Sequence, residues 1–105
     1  MIKAVAQAAS RSTHAKSRHG AMLVKGGRVL ALAWNSYSKH AEIAVMKQVT
    51  ADQCKRSIIW TVRIRKDGRL LLGLPCISCL RDMQAAGVKM VWYSLANGEM
   101  DWKYL

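Results

Sequence analysis

Acidic residues are scarce in this sequence. Six Asp and Glu stand against 17 Lys and Arg in 105 residues, a formal net charge of +11, and no acid precedes Glu42. Such an imbalance opposes compaction through self-repulsion and favours a polyanionic partner over a merely solvated basic surface. Proline is scarcer still, with one residue, and the apolar fraction is 51%. A disordered chain needs low hydrophobicity, so disorder is excluded. No apolar run approaches the roughly eighteen residues of a membrane span. The opening "MIKAVAQAAS" is broken by Lys3 and Gln7 and too short for a signal-peptide core. The acid-free first twenty residues share the composition of a transit peptide but read better as a first helix, leaving a cytoplasmic location as the expectation. Cysteine is rare and odd in number, at three. Without a secretory signal this argues against a disulfide scaffold and for a metal or catalytic use.

What is present fits one domain over residues 1–105, enough for a single core. Ile2, Val5, Ala6, Ala9 and Thr13 fall near helical spacing, so a helix is expected over 2–15. Met22 to Val24 and Val29 to Trp34 flank Gly26-Gly27 as a hairpin. Helical spacing returns from His40 to Val49. Ile58 to Ile64 is a β-branched strand with Trp60, Val62 and Ile64 on one face and Thr61 and Arg63 on the other. Asp67-Gly68 turns the chain into a short extension, Arg69 to Leu72. A helix from Cys76 to Ala86 follows Pro75 and ends at Gly87. Lys89 to Tyr93 is a strand, and Asn97-Gly98 leads to a last strand, Glu99 to Tyr104. The expected fold is α/β: a three-layer sandwich with a mixed five-stranded sheet flanked by helices.

Chemistry concentrates in two stretches, "SKHAEIAVM" and "LPCISC". Cys76-x-x-Cys79 alone fits a redox pair, half of a structural zinc site, or chance. Both thiols stand at a helix start, where the positive end of the dipole favours the thiolate that zinc needs. His40, also at a helix start, is the natural third donor. Three protein ligands leave one tetrahedral position open, the mark of a catalytic zinc. Water bound there becomes acidic, with a pKa of about 7. It needs a nearby proton acceptor, and Glu42, two residues from His40, projects to a different side of the helix. The competing arrangement is a closed structural site completed by Cys54, His14 or His19, which leaves the position of Glu42 unexplained.

His40-Ala41-Glu42 followed by Pro75-Cys76-Ile77-Ser78-Cys79 resembles the H-x-E…P-C-x-x-C signature of the zinc-dependent cytidine deaminase superfamily. The resemblance extends to "GAMLVKGGRVLALAWN" before the histidine and "AAGVKMVWYS" after the cysteine helix. It implies one catalytic zinc on His40, Cys76 and Cys79, with Glu42 as general acid/base. It also implies a metal-activated water attacking C4 of cytosine or C6 of adenine. Asn35, ending the second strand, matches a position where many members hold the substrate sugar. Ala41, between the histidine and the glutamate, belongs with it to the substrate pocket.

"HAEI" and "GRVLALAWN" are also similar to the tRNA adenosine deaminases, so an adenine substrate stays open. Those enzymes usually carry Glu before the Pro-Cys pair, where this chain has Leu74, and the antiviral Ser-x-Ser/Thr-Pro-Cys version is absent as well. If Asn97-Gly98 makes a tight hairpin, the last two strands are antiparallel. That arrangement resembles the free-cytidine and bacterial toxin-type DNA deaminases and favours cytosine. The basic surplus then favours DNA, single-stranded or with a flipped-out cytosine, over a free nucleotide. Trp34, Tyr37, Trp92 and Tyr93 lie near the expected site edge, with core packing the competing role for Trp34 and Trp92. Candidate contacts to the DNA backbone are Arg11, Lys16, Arg18, Lys39, Arg63, Arg65 and Arg69. A monomer is expected for a polymer-acting enzyme and an oligomer for a free cytidine or deoxycytidylate enzyme. A non-catalytic basic zinc module is the remaining alternative.

Overall fold

The computed structural model describes residues 2–12, 18–36 and 40–105. Their order is α1 (Ile2–Ser10), β1 (Arg18–Lys25), β2 (Arg28–Trp34), α2 (Ala41–Lys47), α3 (Ala51–Cys54), β3 (Ile58–Ile64), β4 (Leu70–Leu71), α4 (Ile77–Ala85), β5 (Met90–Ser94) and β6 (Met100–Tyr104). One mixed sheet runs β2-β1-β3-β5-β6, with β4 paired to the end of β3. Only the β3–β5 pairing is parallel, with α4 in the crossover, and β5–β6 is antiparallel as expected. The short extension after Asp67-Gly68 is the sixth strand, β4.

The turns follow from glycine. Gly26 and Gly27 hold φ of 58° and 75°, so both central residues of the β1–β2 hairpin are left-handed, as a type I′ turn requires. Gly68 and Gly98, both at φ 89°, turn β3 into β4 and β5 into β6.

Side-chain alternation divides the core in two. Met22, Val24, Val62 and Ile64 face α1 and pack with Val5 and Ala9. Ala21, Leu23, Ala31, Ala33, Ile59 and Val91 face the other layer, with Ala41 and Val45 of α2, Cys54 of α3 and Met83 of α4. β1 is buried on both sides and therefore reads as a nearly continuous apolar run.

Gly20 sits where α1 presses closest. An added Cβ there would lie 2.3 Å from Val5 O and 2.7 Å from Ala9 N. Backbone on both sides leaves no room to yield, so Gly20→Ala is expected to destabilise by about 1–3 kcal/mol. Thermal unfolding should show a fall of roughly 4–8 °C per kcal/mol in a chain of this size; an unchanged midpoint would contradict this packing.

The first helix is shorter than the 2–15 expected. The Ser10 hydroxyl donates to Gln7 O at 2.5 Å, a local competitor for the helical ladder. The second ends at Lys47, where the amides of Gln48 and Val49 bond three residues back. Thr50 then starts α3 through a capping box with Gln53.

On the α1 side, Trp60 and Trp92 stack at 4.9 Å and 8°, with Trp102 next at 6.3 Å. Trp92 thus belongs to an aromatic row on the sheet face opposite α2 and α4. No helix among the described residues is long and apolar enough to cross a membrane.

Candidate metal centre

Two helix starts meet on the α2/α4 side of the sheet. His40 is the N-cap of α2, with extended backbone (φ −76°, ψ 143°), and its side chain makes no capping bond. Cys76 is the N-cap of α4 (φ −64°, ψ 163°), again without a side-chain cap. Both positions normally favour Ser, Thr, Asp or Asn. Here a histidine and a cysteine occupy them, and their side chains turn toward each other. Cys79 lies one turn into α4 and is buried.

The His40 nitrogen and the two sulfurs all lie within 4.8 Å of one another. Cys79 Sγ is 3.4 Å from His40 Nδ1. Ligand bonds of 2.0–2.3 Å at tetrahedral angles put donor atoms about 3.6 Å apart, so this separation fits a zinc ion. His40 and Cys76 are exposed, so the open side of this donor set faces solvent.

Glu42 is the carboxylate next to His40 and Cys79 and is only 3% exposed. Burial pushes its carboxyl above the ordinary value; its own backbone amide, His40 and the Cys79 thiol pull partly back. A carboxyl raised above its ordinary value suits reversible proton transfer. The thiols divide: Ser78 and the Cys79 amide draw Cys76 down, while burial and the neighbouring Glu42 and Cys76 push Cys79 up. A divalent cation reverses that effect at Cys79, because it coordinates the thiolate.

The segment leading into Cys76 is fastened to the sheet by residues that sequence reading missed. Ser94 Oγ donates to Leu71 O at 2.6 Å, Thr61 Oγ1 donates to Gly73 O at 2.8 Å, and Gly73 N donates to Ser94 O at 2.8 Å. Gly73 is required for this approach, since an added Cβ would meet Ser94 Oγ at 2.6 Å and Arg63 N at 3.0 Å. Gly73 stands two residues before Pro75, but Thr61 and Ser94 carry no signal of this role.

Asn35 is held rigidly at the end of β2. Its amide donates to His19 O at 3.1 Å, and its Oδ1 accepts from His19 N at 2.9 Å and from the Ser12 hydroxyl. Ser12 was not foreseen either. Trp34, just before Asn35, is 38% exposed, and the Arg11 guanidinium lies 5.5 Å from its ring centroid. Ala41 is buried between His40 and Glu42. Tyr93 packs on the α2/α4 side and its hydroxyl donates to Asp101 at 3.3 Å.

The basic candidates are not gathered at one place. Arg18 begins β1 opposite Ile64, and Arg63 lies on β3 opposite His19. Arg65 and Arg69 flank the β3–β4 turn and share Asp67, at 4.0 Å and 3.6 Å. Lys16, Tyr37, Lys39 and His14 lie outside the described residues.

A mixed sheet brings a Cys-x-x-Cys helix start to a His-x-Glu helix start, and the three donors it gathers suit a zinc ion. The chain belongs to the cytidine and deoxycytidylate deaminase zinc-binding family, whose description matches residues 1–95. That family supplies zinc as the cofactor of the centre, on His40, Cys76 and Cys79. Among solved structures the chain is similar to RibD from Acinetobacter baumannii in two forms, at 17% and 18% identity and TM-scores of 0.64 and 0.66. Each match covers 90% of this chain and 26% of RibD, so the chain spans about a quarter of that protein's length. It is also similar to a mutant cytidine deaminase from Mycobacterium tuberculosis, at 23% identity and a TM-score of 0.61, covering 88% of this chain and 80% of that one. These likenesses establish the fold. No curated protein sequence matches the chain significantly.

Proposed function

We propose that this protein, one deaminase domain over residues 1–105, is a zinc-dependent hydrolase that converts cytosine to uracil in DNA. The observation that carries the reading is the convergence of His40 Nδ1, Cys76 Sγ and Cys79 Sγ beside a buried Glu42. These three residues would hold a zinc ion, which would supply Lewis acidity to make water a nucleophile near neutral pH. Glu42 accepts one proton of the attacking water and gives it to the ring nitrogen N3, then takes the second from the new C4 hydroxyl and gives it to the leaving amine. A C4–O bond forms and the C4–N bond breaks, so cytosine and water give uracil and ammonia. The carboxyl stands beside the donor set, placed to carry protons in both directions. Asn35, oriented by Ser12 and the His19 amide, meets the sugar.

Three features support a DNA substrate: the charge of +11, the solvent-facing His40 and Cys76, and the Arg11–Trp34 pair, which offers an aromatic ring beside a cation. The second reading is deamination of free cytidine or deoxycytidylate. It is favoured by the likeness to a cytidine deaminase and to RibD.

Binding of a cytosine-containing single strand should weaken roughly fiftyfold from 50 to 200 mM salt if about four phosphates are contacted. A flat salt response would exclude the polymer and leave the free-nucleotide reading.

A further inference from the structure

At the end of the sheet nearest the metal donors, Asn35, just past β2, stands side by side with His19 of β1 and Arg63 of β3. Asn35 pairs through its backbone with His19, and His19 is the register partner of Arg63. One pleat further in, Ala33, Ala21 and Thr61 are all buried, and the first two belong to the core beneath α2 and α4. Alternation therefore directs Arg63 to the same side of the sheet as the donors.

Arg63 Nε is buried and has no hydrogen-bond partner among the described residues. Arg63 is absent from the ion pairs among those residues, and Asp67, the acid nearest in sequence, is shared by Arg65 and Arg69. Its backbone amide is already occupied, donating to Ser94 Oγ at 3.1 Å. A buried N–H without an acceptor is costly, and more than nine in ten such groups find one. An acceptor brought from outside would complete the group. A guanidinium fork matches the paired oxygens of a phosphate. Asn35 and Arg63 are two strand spacings apart, about 10 Å. A nucleotide whose sugar meets Asn35 can present its phosphate to the Arg63 arm.

We infer that Arg63 binds a phosphate of the substrate and sets the preference for phosphorylated cytosine over the bare nucleoside. This rests on the deaminase reading above, and the phosphate belongs either to deoxycytidylate or to a DNA strand. Arg63→Gln, loaded with zinc, should lose about ten- to a hundredfold in kcat/KM on the phosphorylated substrate, mostly through KM. Deoxycytidine should change by less than about threefold on the same scale. Arg63→Lys keeps the charge without the fork and should recover part of the loss. A loss confined to deoxycytidylate assigns its 5′-phosphate, and one confined to an oligonucleotide assigns the strand. Equal loss on all three substrates, or none, overturns the inference.

A second readout does not need turnover. In nitrogen-15-labelled protein the Arg63 Nε–H resonance, identified by its absence in Arg63→Lys, should shift and exchange more slowly with deoxycytidylate, the oligonucleotide or inorganic phosphate. Deoxycytidine should leave it in place. If the resonance responds but no uracil forms from any substrate, the deaminase reading fails and the phosphate site stands. A resonance unmoved by every phosphate-bearing ligand overturns the site, whatever the activity.

Discussion

Replacing Glu42 by glutamine is expected to lower kcat for uracil formation by about a hundred- to ten-thousandfold, the usual contribution of a positioned acid/base. The substitution keeps the side-chain volume and removes the group that moves the proton. Glu42 is only 3% exposed and its pKa is raised by burial, so a neutral amide should sit in that environment at little cost to folding. Zinc content should stay at one ion per chain, because the donor set comprises His40, Cys76 and Cys79. Metal analysis beside the kinetics separates the possibilities. Loss of zinc together with activity would make Glu42 a ligand instead.

The second large effect is expected at Cys79. Cys79→Ser exchanges a thiolate donor for a hydroxyl of similar size, while Cys76 and His40 remain. Partners that merely orient a ligand are worth 10–100-fold in metal affinity, so loss of the ligand itself should cost more than about a hundredfold. Activity should fall with occupancy. Zinc at a thousand times its Kd stabilises a protein by about 4 kcal/mol. Chelation should then lower the wild-type melting temperature by roughly 15 °C or more in a chain of this size. Cys79→Ser should melt at the temperature of the chelated protein and respond little to added zinc. Wild-type zinc affinity in this variant would remove Cys79 from the centre.

The metal donors and the carboxylate beside them were legible because their pattern is local: a histidine and a glutamate two apart, two cysteines three apart, each pair at a helix start. The sheet was legible for a similar reason. Trp60, Val62 and Ile64 alternate with Thr61 and Arg63, and Gly26, Gly27, Gly68 and Gly98 take the positive φ that their turns require.

The supporting contacts are separated widely in sequence. Ser12 reaches Asn35 across 23 residues, and Ser94 reaches Arg63 across 31. No periodicity marks such pairs, because each depends on which strands become neighbours. Gly20 and Gly73 likewise read as ordinary residues until α1 and the segment after β4 press against them. The break between α2 and α3 was readable in Thr50 and Gln53, but the apolar spacing running through Val49 concealed it. Trp92 and Tyr93 could both be placed near the site only before the sheet faces were known. Alternation sends Trp92 into the Trp60 stack and Tyr93 toward the metal side.

The most direct test offers zinc-loaded protein deoxycytidine, deoxycytidylate, single-stranded DNA, duplex DNA and RNA in parallel, with Glu42→Gln as the control. Uracil should form from at least one cytosine substrate, most from single-stranded DNA, and the control should form none above background. A protein holding one zinc per chain on His40, Cys76 and Cys79 that leaves every cytosine substrate unchanged would contradict the account.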